Sequence, residues 1–177
     1  GVQTCALPIF GDFDLFADAS SIVNSAIRLG ALTDTEFAAT KNPLATGDDT
    51  TGGDDEDAVT LPAMTAGAPA TIPVLVTNTS GAAVNLNAWI DFNGNGNLTD
   101  VGEHIANNIS IATGTNNVVQ NLSITVPAEA LTGLNLGVRV RLTSTMTPGP
   151  IGASGNGEVE DYVVNITAPS TDFGDFS

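Results

Sequence analysis

Between Asp91 and Glu103 the chain sets side-chain oxygens on alternate residues, Asp91, Asn93, Asn95 and Asn97, and adds Asp100 and Glu103 beyond Gly96. A hard cation such as calcium needs several oxygens converging through a tight turn, and this spacing resembles the opening of a DxDxDG calcium loop. The close departs from that pattern. Gly102 stands at the twelfth position, where a helix-flanked loop carries its bidentate Glu; Glu103 falls one residue later, between flanks that read as strands. Asp91, Asn93 and Asn95 carry one negative charge among them, which implies weak binding. The same residues also suit an Asn-Gly hairpin turn with solvated polar groups, because Asn and Gly tolerate positive φ. The residues alone leave calcium loop and plain turn both open.

A second concentration of carboxylates comprises Asp48, Asp49, Asp54, Asp55, Glu56 and Asp57, six of the chain's 20 acids within ten residues. Such a run repels itself unless it stays solvated as a linker or surrounds a cation. It leads into a candidate strand at Val59, and Glu158, Glu160 and Asp161 open the last candidate strand. If first and last strands meet, both clusters share one end of the fold. Asp54, Asp55 or Asp57 then approaches Glu158, Glu160 or Asp161 closely enough to share a calcium ion, with Asp48 and Asp49 nearby.

Catalytic chemistry has little to draw on. His104 is the only histidine, Cys5 the only cysteine, and no serine sits in a nucleophile elbow. Acids crowded at strand ends and Gly turns look more like cation ligands than like a glycosidase pair across a cleft. The expectation is a non-enzyme, with His104 a surface residue beside the Glu103 carboxylate. With 4 basic residues against 20 acids, the formal charge of −16 argues against nucleic acid and anionic membrane surfaces as partners. Sugar platforms need exposed aromatics, and Trp89 is the one obvious candidate. No apolar stretch approaches the roughly 20 residues that span a bilayer.

These residues must be positioned by strands. The 177 residues suit one domain, and from Val59 onward short apolar or alternating runs are separated by Gly, Asn, Thr and Pro. Strands are expected over 59–64, 72–77, 84–92, 105–112, 118–126, 134–142 and 159–166, an all-β, immunoglobulin-like antiparallel sandwich of about seven strands with a less regular N-terminal segment. Val84, Leu86, Ala88, Ile90 and Phe92 share the core face of one strand, and Trp89 lies opposite. Arg139 and Arg141 alternate with Val138, Val140 and Leu142, which puts half of the basic side chains on one solvent-side face beside carboxylates. Residues 18–29 read equally as a short helix or as a strand.

Residues 1–9 resemble the translation of a sequencing-adapter oligonucleotide and are set aside. Phe10-Gly11-Asp12-Phe13 recurs as Phe173-Gly174-Asp175-Phe176 after a Pro-Ser-Thr linker. This places one repeat over 10–168, with linker and start of the next repeat over 169–177.

Gly157-Glu158-Val159-Glu160-Asp161-Tyr162, taken with GDDTTGGDDEDAV at 47–59, LNAWIDFNGNGNLTDVGE at 86–103 and LGALTDTE at 29–36, resembles the GEVED domain of large bacterial surface and secreted multidomain proteins. The FGDF copies resemble its DxGD-type opening. The resemblance runs from Phe10 to about Thr167 and implies a β-rich, repeat-forming extracellular module, found beside adhesin and stalk domains or appended to secreted hydrolases. Neighbouring repeats of the same chain and a protein or glycan ligand are the partners it implies. It supplies no catalytic residue and no ligand. Ala58 stands where Gly is usual and Asn95 where Asp is usual, which weakens the calcium case at that loop.

Overall fold

The computed structural model describes residues 8–33, 40–47, 56–146 and 148–170. Ten strands run in chain order: β1 (Pro8–Phe10), β2 (Ala19–Ile22), β3 (Ile27–Leu29), β4 (Met64–Thr65), β5 (Pro69–Asn78), β6 (Val84–Ile90), β7 (His104–Ile111), β8 (Thr115–Thr125), β9 (Asn135–Thr143) and β10 (Gly152–Thr167). The larger sheet has the order β1-β2-β10-β9-β6-β7, with β4 paired to β10, and the smaller has the order β3-β5-β8. The fold is an all-β sandwich. Among the described residues no helix is long and apolar enough to cross a membrane.

The alternation in β6 sets the register as the sequence implies. Val84, Leu86, Ala88 and Ile90 are buried in the main core between the sheets, facing Ile72, Val74 and Val76 of β5 and Leu122 of β8 in the same cluster. Val138, Val140 and Leu142 of β9 join them.

Two expectations are corrected here and one open reading is decided. There are ten strands rather than about seven, and β10 pairs in parallel with β2 and β4, so the sandwich is not wholly antiparallel. Of the helix and strand readings open for residues 18–29, the strand is the one the fold adopts, as β2 and β3. The strand expected over 59–64 reduces to one bridge, Val59 with Val74, before β4 begins at Met64. Pro62 in that stretch has no N–H to donate to a ladder.

The opposite face of the larger sheet is covered too. The N-terminal segment lays Phe13, Phe16 and Ala45 over Trp89 and Leu98, and Ile9 and Ala19 over Val159. β1 therefore takes up Pro8 and Ile9, the last residues of the segment set aside as adapter-like. Arg139 and Arg141 lie under this cover with 0% exposure, not on a solvent-side face. Both faces of β9 and of the middle of β10 are interior.

Candidate functional site

The GEVEDY hexapeptide occupies the middle of β10, and strand alternation divides its acids between two faces. Gly157 is held at φ 150°, and a Cβ there would lie 2.0 Å from the Leu142 carbonyl oxygen, so only glycine fits. Glu158 and Glu160 pair across from Leu142 and Val140 and face the main core. Glu158 Oε2 accepts the Leu29 N–H at 2.5 Å. Glu160 Oε2 accepts the Tyr162 hydroxyl at 2.6 Å, and that hydroxyl in turn accepts the Ala58 and Val59 N–H groups at 3.0 and 3.1 Å. Burial and the neighbouring Glu160 charge hold the Tyr162 phenol protonated, well above its usual range.

Asp161 faces the other way. Its carboxylate takes Arg139 in a two-point grip, Nε to Oδ1 at 2.7 Å and Nη2 to Oδ2 at 2.6 Å, with both side chains fully buried. Oδ2 also accepts the Phe13 N–H at 3.1 Å. Arg139 donates further to the Ala17 and Pro150 carbonyls and lies 5.0 Å from the Phe16 ring centroid. The first FGDF copy is thus built onto this pair. A Cβ on Gly11 would meet Arg139 Nη2 and Asp161 Oδ2 at 2.7 Å, and Asp12 Oδ2 accepts the Gly47 N–H at 2.6 Å. Arg141 has no carboxylate partner among the described residues. Its guanidinium donates instead to the carbonyls of Gly149, Ser20 and Gly152, and burial followed by the Arg139 charge lowers its pKa to about 10.

The shared-ion expectation divides accordingly. Asp48, Asp49, Asp54 and Asp55 lie outside the described residues. Asp57 is exposed, and its carboxylate accepts the Ala31 N–H, two residues beyond the Leu29 amide that Glu158 holds. The end of the acidic run therefore does reach the Glu158 and Glu160 side of β10. Asp161 does not belong with them, because adjacent strand residues point to opposite faces.

The 91–103 loop joins β6 to β7, and Asp91, itself buried, ties it together from the inside. Asp91 Oδ1 accepts the Asn95 N–H at 3.1 Å, and Oδ2 accepts the Gly96 N–H at 2.7 Å. The side-chain oxygens of Asn93, Asn95 and Asn97 accept the N–H groups of Asn95, Asn97 and Thr99. Their amide nitrogens all turn to Asp100, at 2.9, 2.8 and 3.1 Å. These donors, Asn93 first and then Asn95, hold the Asp100 carboxyl below its usual range.

Glu103 points inward, away from His104. Glu103 is 2% exposed, and no side chain among the described residues pairs with its carboxylate, which takes backbone hydrogen bonds at Asn93 and Asp100. Burial and then the Asp91 charge push its pKa up to about 7, against smaller lowerings by the backbone hydrogen bonds from Asn93 and Asp100. It lines a cavity of about 120 Å3 together with Asn93, Phe92, Pro127 and Glu129. Glu129 is a functional candidate that the sequence did not single out; a lone acid in Pro-Ala-Glu-Ala carries no spacing signal. Among the described residues, no three acidic, histidine or cysteine side chains converge as they stand to hold a metal ion.

Trp89 is buried, not exposed as a sugar platform requires. His104 covers it, the rings stacked 4.7 Å apart at 11°, and His104 Nε2 lies 3.0 Å from Asn87 Oδ1. That oxygen also accepts the Asn108 N–H, so Nε2 carries the proton. Burial lowers the His104 pKa, favouring a neutral imidazole. A cleft of about 230 Å3 opens beside the stack, bounded by Trp89, His104, Thr99, Asp100, Pro148 and Pro150.

Residues 85–165 match the family model of the GEVED domain. The match covers β6 to β10, which includes the 91–103 loop and the hexapeptide, and leaves the FGDF opening and the acidic run outside it. No curated protein matches the chain.

Proposed function

Because residues 85–165 match the family model of the GEVED domain, we propose that the chain is a non-catalytic extracellular module of a bacterial surface or secreted protein, set in tandem with like modules in a stalk or adhesion role and stabilised by calcium through clustered carboxylates. The observation that carries this reading is Glu103, a buried carboxylate beside Asp91 whose backbone hydrogen bonds at Asn93 and Asp100 do not offset its burial and the Asp91 charge. Burying such a group is costly unless a counter-charge arrives. Further support comes from how the other conspicuous groups are used. Asp161 and Arg139 hold the opening segment, Glu160 holds Tyr162, and His104 caps Trp89, so these groups are engaged structurally among the described residues. The FGDF copy at 173–176 supports the tandem arrangement, since the first copy is an integral part of its own module.

Thermal unfolding in chelator and in millimolar calcium tests the cation. Extracellular modules bind with dissociation constants of about 10⁻⁴–10⁻³ M. At tenfold excess over the dissociation constant, calcium adds about 1.4 kcal/mol, a rise in midpoint of roughly 3–6 °C for a chain of this size. A midpoint that stays put from chelator to ten millimolar calcium overturns the reading.

One observation favours a second reading, a glycan-binding accessory module of a secreted hydrolase. The cleft beside His104 combines a flat neutral ring, a carboxylate and a hydroxyl. It is smaller than the roughly 300–1,000 Å3 of drug-sized pockets, which suits a single sugar ring. Trp89, the only tryptophan, reports directly on this cleft. Titration with neutral methyl glycosides leaves its fluorescence unchanged under the leading reading; a saturable change that His104→Ala abolishes selects the second.

A further inference from the structure

We propose that the open edge of β8 is a lateral interface at which two copies of this chain pair, antiparallel and about a two-fold axis, joining their smaller sheets into one. β7 ends the larger sheet and β8 ends the smaller, and the two strands follow each other in the chain and touch, so both edges lie on one side of the sandwich. From Ile105 to Ala128 this side contains no Asp, Glu, Lys or Arg, in a chain whose formal charge is −16.

An open sheet edge invites pairing with another chain, and folded proteins blunt their edges with short strands, bulges or charges. The other edges of this sandwich are blunted in those ways. β1 and β3 have three residues each, and β3 carries Arg28. The β6–β7 ladder shifts register between Leu86 and Ala88 and again between Ala88 and Trp89, and Asn108 of β7 sits in the left-handed region at φ 51°. β8 differs from all three. After one irregularity ahead of Val118 it pairs with β5 in unbroken register to Thr125, and that run holds no proline, glycine or charged residue.

The hydrogen bonds of β5 give the direction of the outer backbone groups. Leu75 donates its N–H to the Ala58 carbonyl at 2.8 Å and accepts the Gly30 N–H at 3.0 Å, and the Pro73 carbonyl accepts the Thr60 N–H at 3.3 Å. Leu75 and Pro73 thus turn their backbone away from β8. Their partners on β8, Val119 and Asn121, stand in the non-hydrogen-bonded pairs of the ladder and aim their own N–H and C=O groups outward, as Ser123 does by alternation. The side chains of these three residues are exposed, Val119 at 52%.

Charge selects the occupant. Two molecules of net charge −16 repel, and they do so least where neither brings an ionised group to the contact. A basic partner is drawn instead to the surfaces that carry the carboxylates. With the two-fold axis at Asn121, Asn121 faces its own copy and Val119 faces Ser123 of the second copy, so every cross-strand pair is neutral. An interface of this kind uses the same patch on both molecules and closes at two.

Analytical ultracentrifugation of the full chain from about 10 µM to about 1 mM, the range suited to a small interface, shows a monomer–dimer equilibrium with nothing larger. Added sodium chloride strengthens it severalfold, because salt screens the net repulsion. Amide hydrogen exchange locates the contact: Val119, Asn121 and Ser123 slow as protein concentration rises, while Gln120 and Leu122, which face β5, do not change. Asn121→Pro removes an outward N–H, leaves the β5 ladder intact and raises the dissociation constant at least about tenfold, since both central hydrogen bonds of the new ladder go together. Val119→Asp keeps every backbone group and weakens the dimer to a similar extent by placing a carboxylate beside the contact in each copy; its melting midpoint at low concentration separates lost pairing from lost folding. A monomer at the highest concentration and salt, species larger than a dimer, a dimer that salt weakens, or one that both variants leave intact overturns the proposal.

Discussion

Asp161→Asn lowers the unfolding free energy by about 3–5 kcal/mol, the scale of breaking a fully buried ion pair from one side. The substitution conserves shape and removes only the charge, so Arg139 is left under the N-terminal segment with two backbone carbonyls and no anion. The Phe13 N–H loses its charged acceptor at the same time, which loosens the FGDF opening from the sheet. For a chain of this length the melting midpoint falls by roughly 6–20 °C. Replacing both partners, Arg139→Met with Asp161→Leu, recovers most of that loss, because no charge then remains buried. Urea unfolding of the three proteins checks this, and a single-variant loss under about 1 kcal/mol would show that the pair behaves like an exposed one.

Glu103→Gln stabilises the protein in chelator at pH 8. In the metal-free state the folded Glu103 carboxyl titrates at about 7, raised from 4.5 by burial and then by the Asp91 charge. A raised carboxyl pKa means that the folded state binds its proton more tightly than the unfolded state does. The contribution is therefore fully present below about pH 4.5 and is lost as pH rises through 7. The loss is at most about 3 kcal/mol, at ~1.4 kcal/mol per pKa unit. Gln carries no such penalty, so at pH 8 in chelator the variant exceeds the parent by about 1–3 kcal/mol, and the two curves converge below pH 4.5. The remaining acids titrate in both proteins, so the difference between the curves isolates Glu103. Parallel stability curves from pH 4 to pH 8 would contradict both the burial and the titration of this carboxylate.

The inner face of the sandwich was legible because it is a local property. Val84, Leu86, Ala88 and Ile90 alternate along one strand, the pleat sends them to one side, and all four are in the main core. The loop was legible for the same reason: Asp91, Asn93, Asn95, Asn97 and Asp100 lie within ten residues and do form one hydrogen-bonded unit. The hexapeptide stood out as a motif but its chemistry did not. Three acids in four residues read as one cluster, whereas the strand sends Glu158 and Glu160 to one face and Asp161 to the other.

What the sequence determined by itself is the strand class, the register of the inner face and the location of the polar loop, since each follows from a period of two or from neighbours a few residues apart. What only the tertiary structure decided is what lies over each face. Arg139, Arg141, Asn87 and Trp89 share the outward side of β6 and β9, and polar alternation there looks like a solvent face. The N-terminal segment crosses from more than a hundred residues away, its Phe13 N–H meeting Asp161 and its Ser20 carbonyl meeting Arg141, and converts that face to interior. Glu103 and Glu129 come to line one cavity by the same means, through chain segments that no local spacing connects. Side-chain direction is set by the backbone at each residue, but burial depends on which distant segment arrives to exclude water, and only the folded chain contains that information.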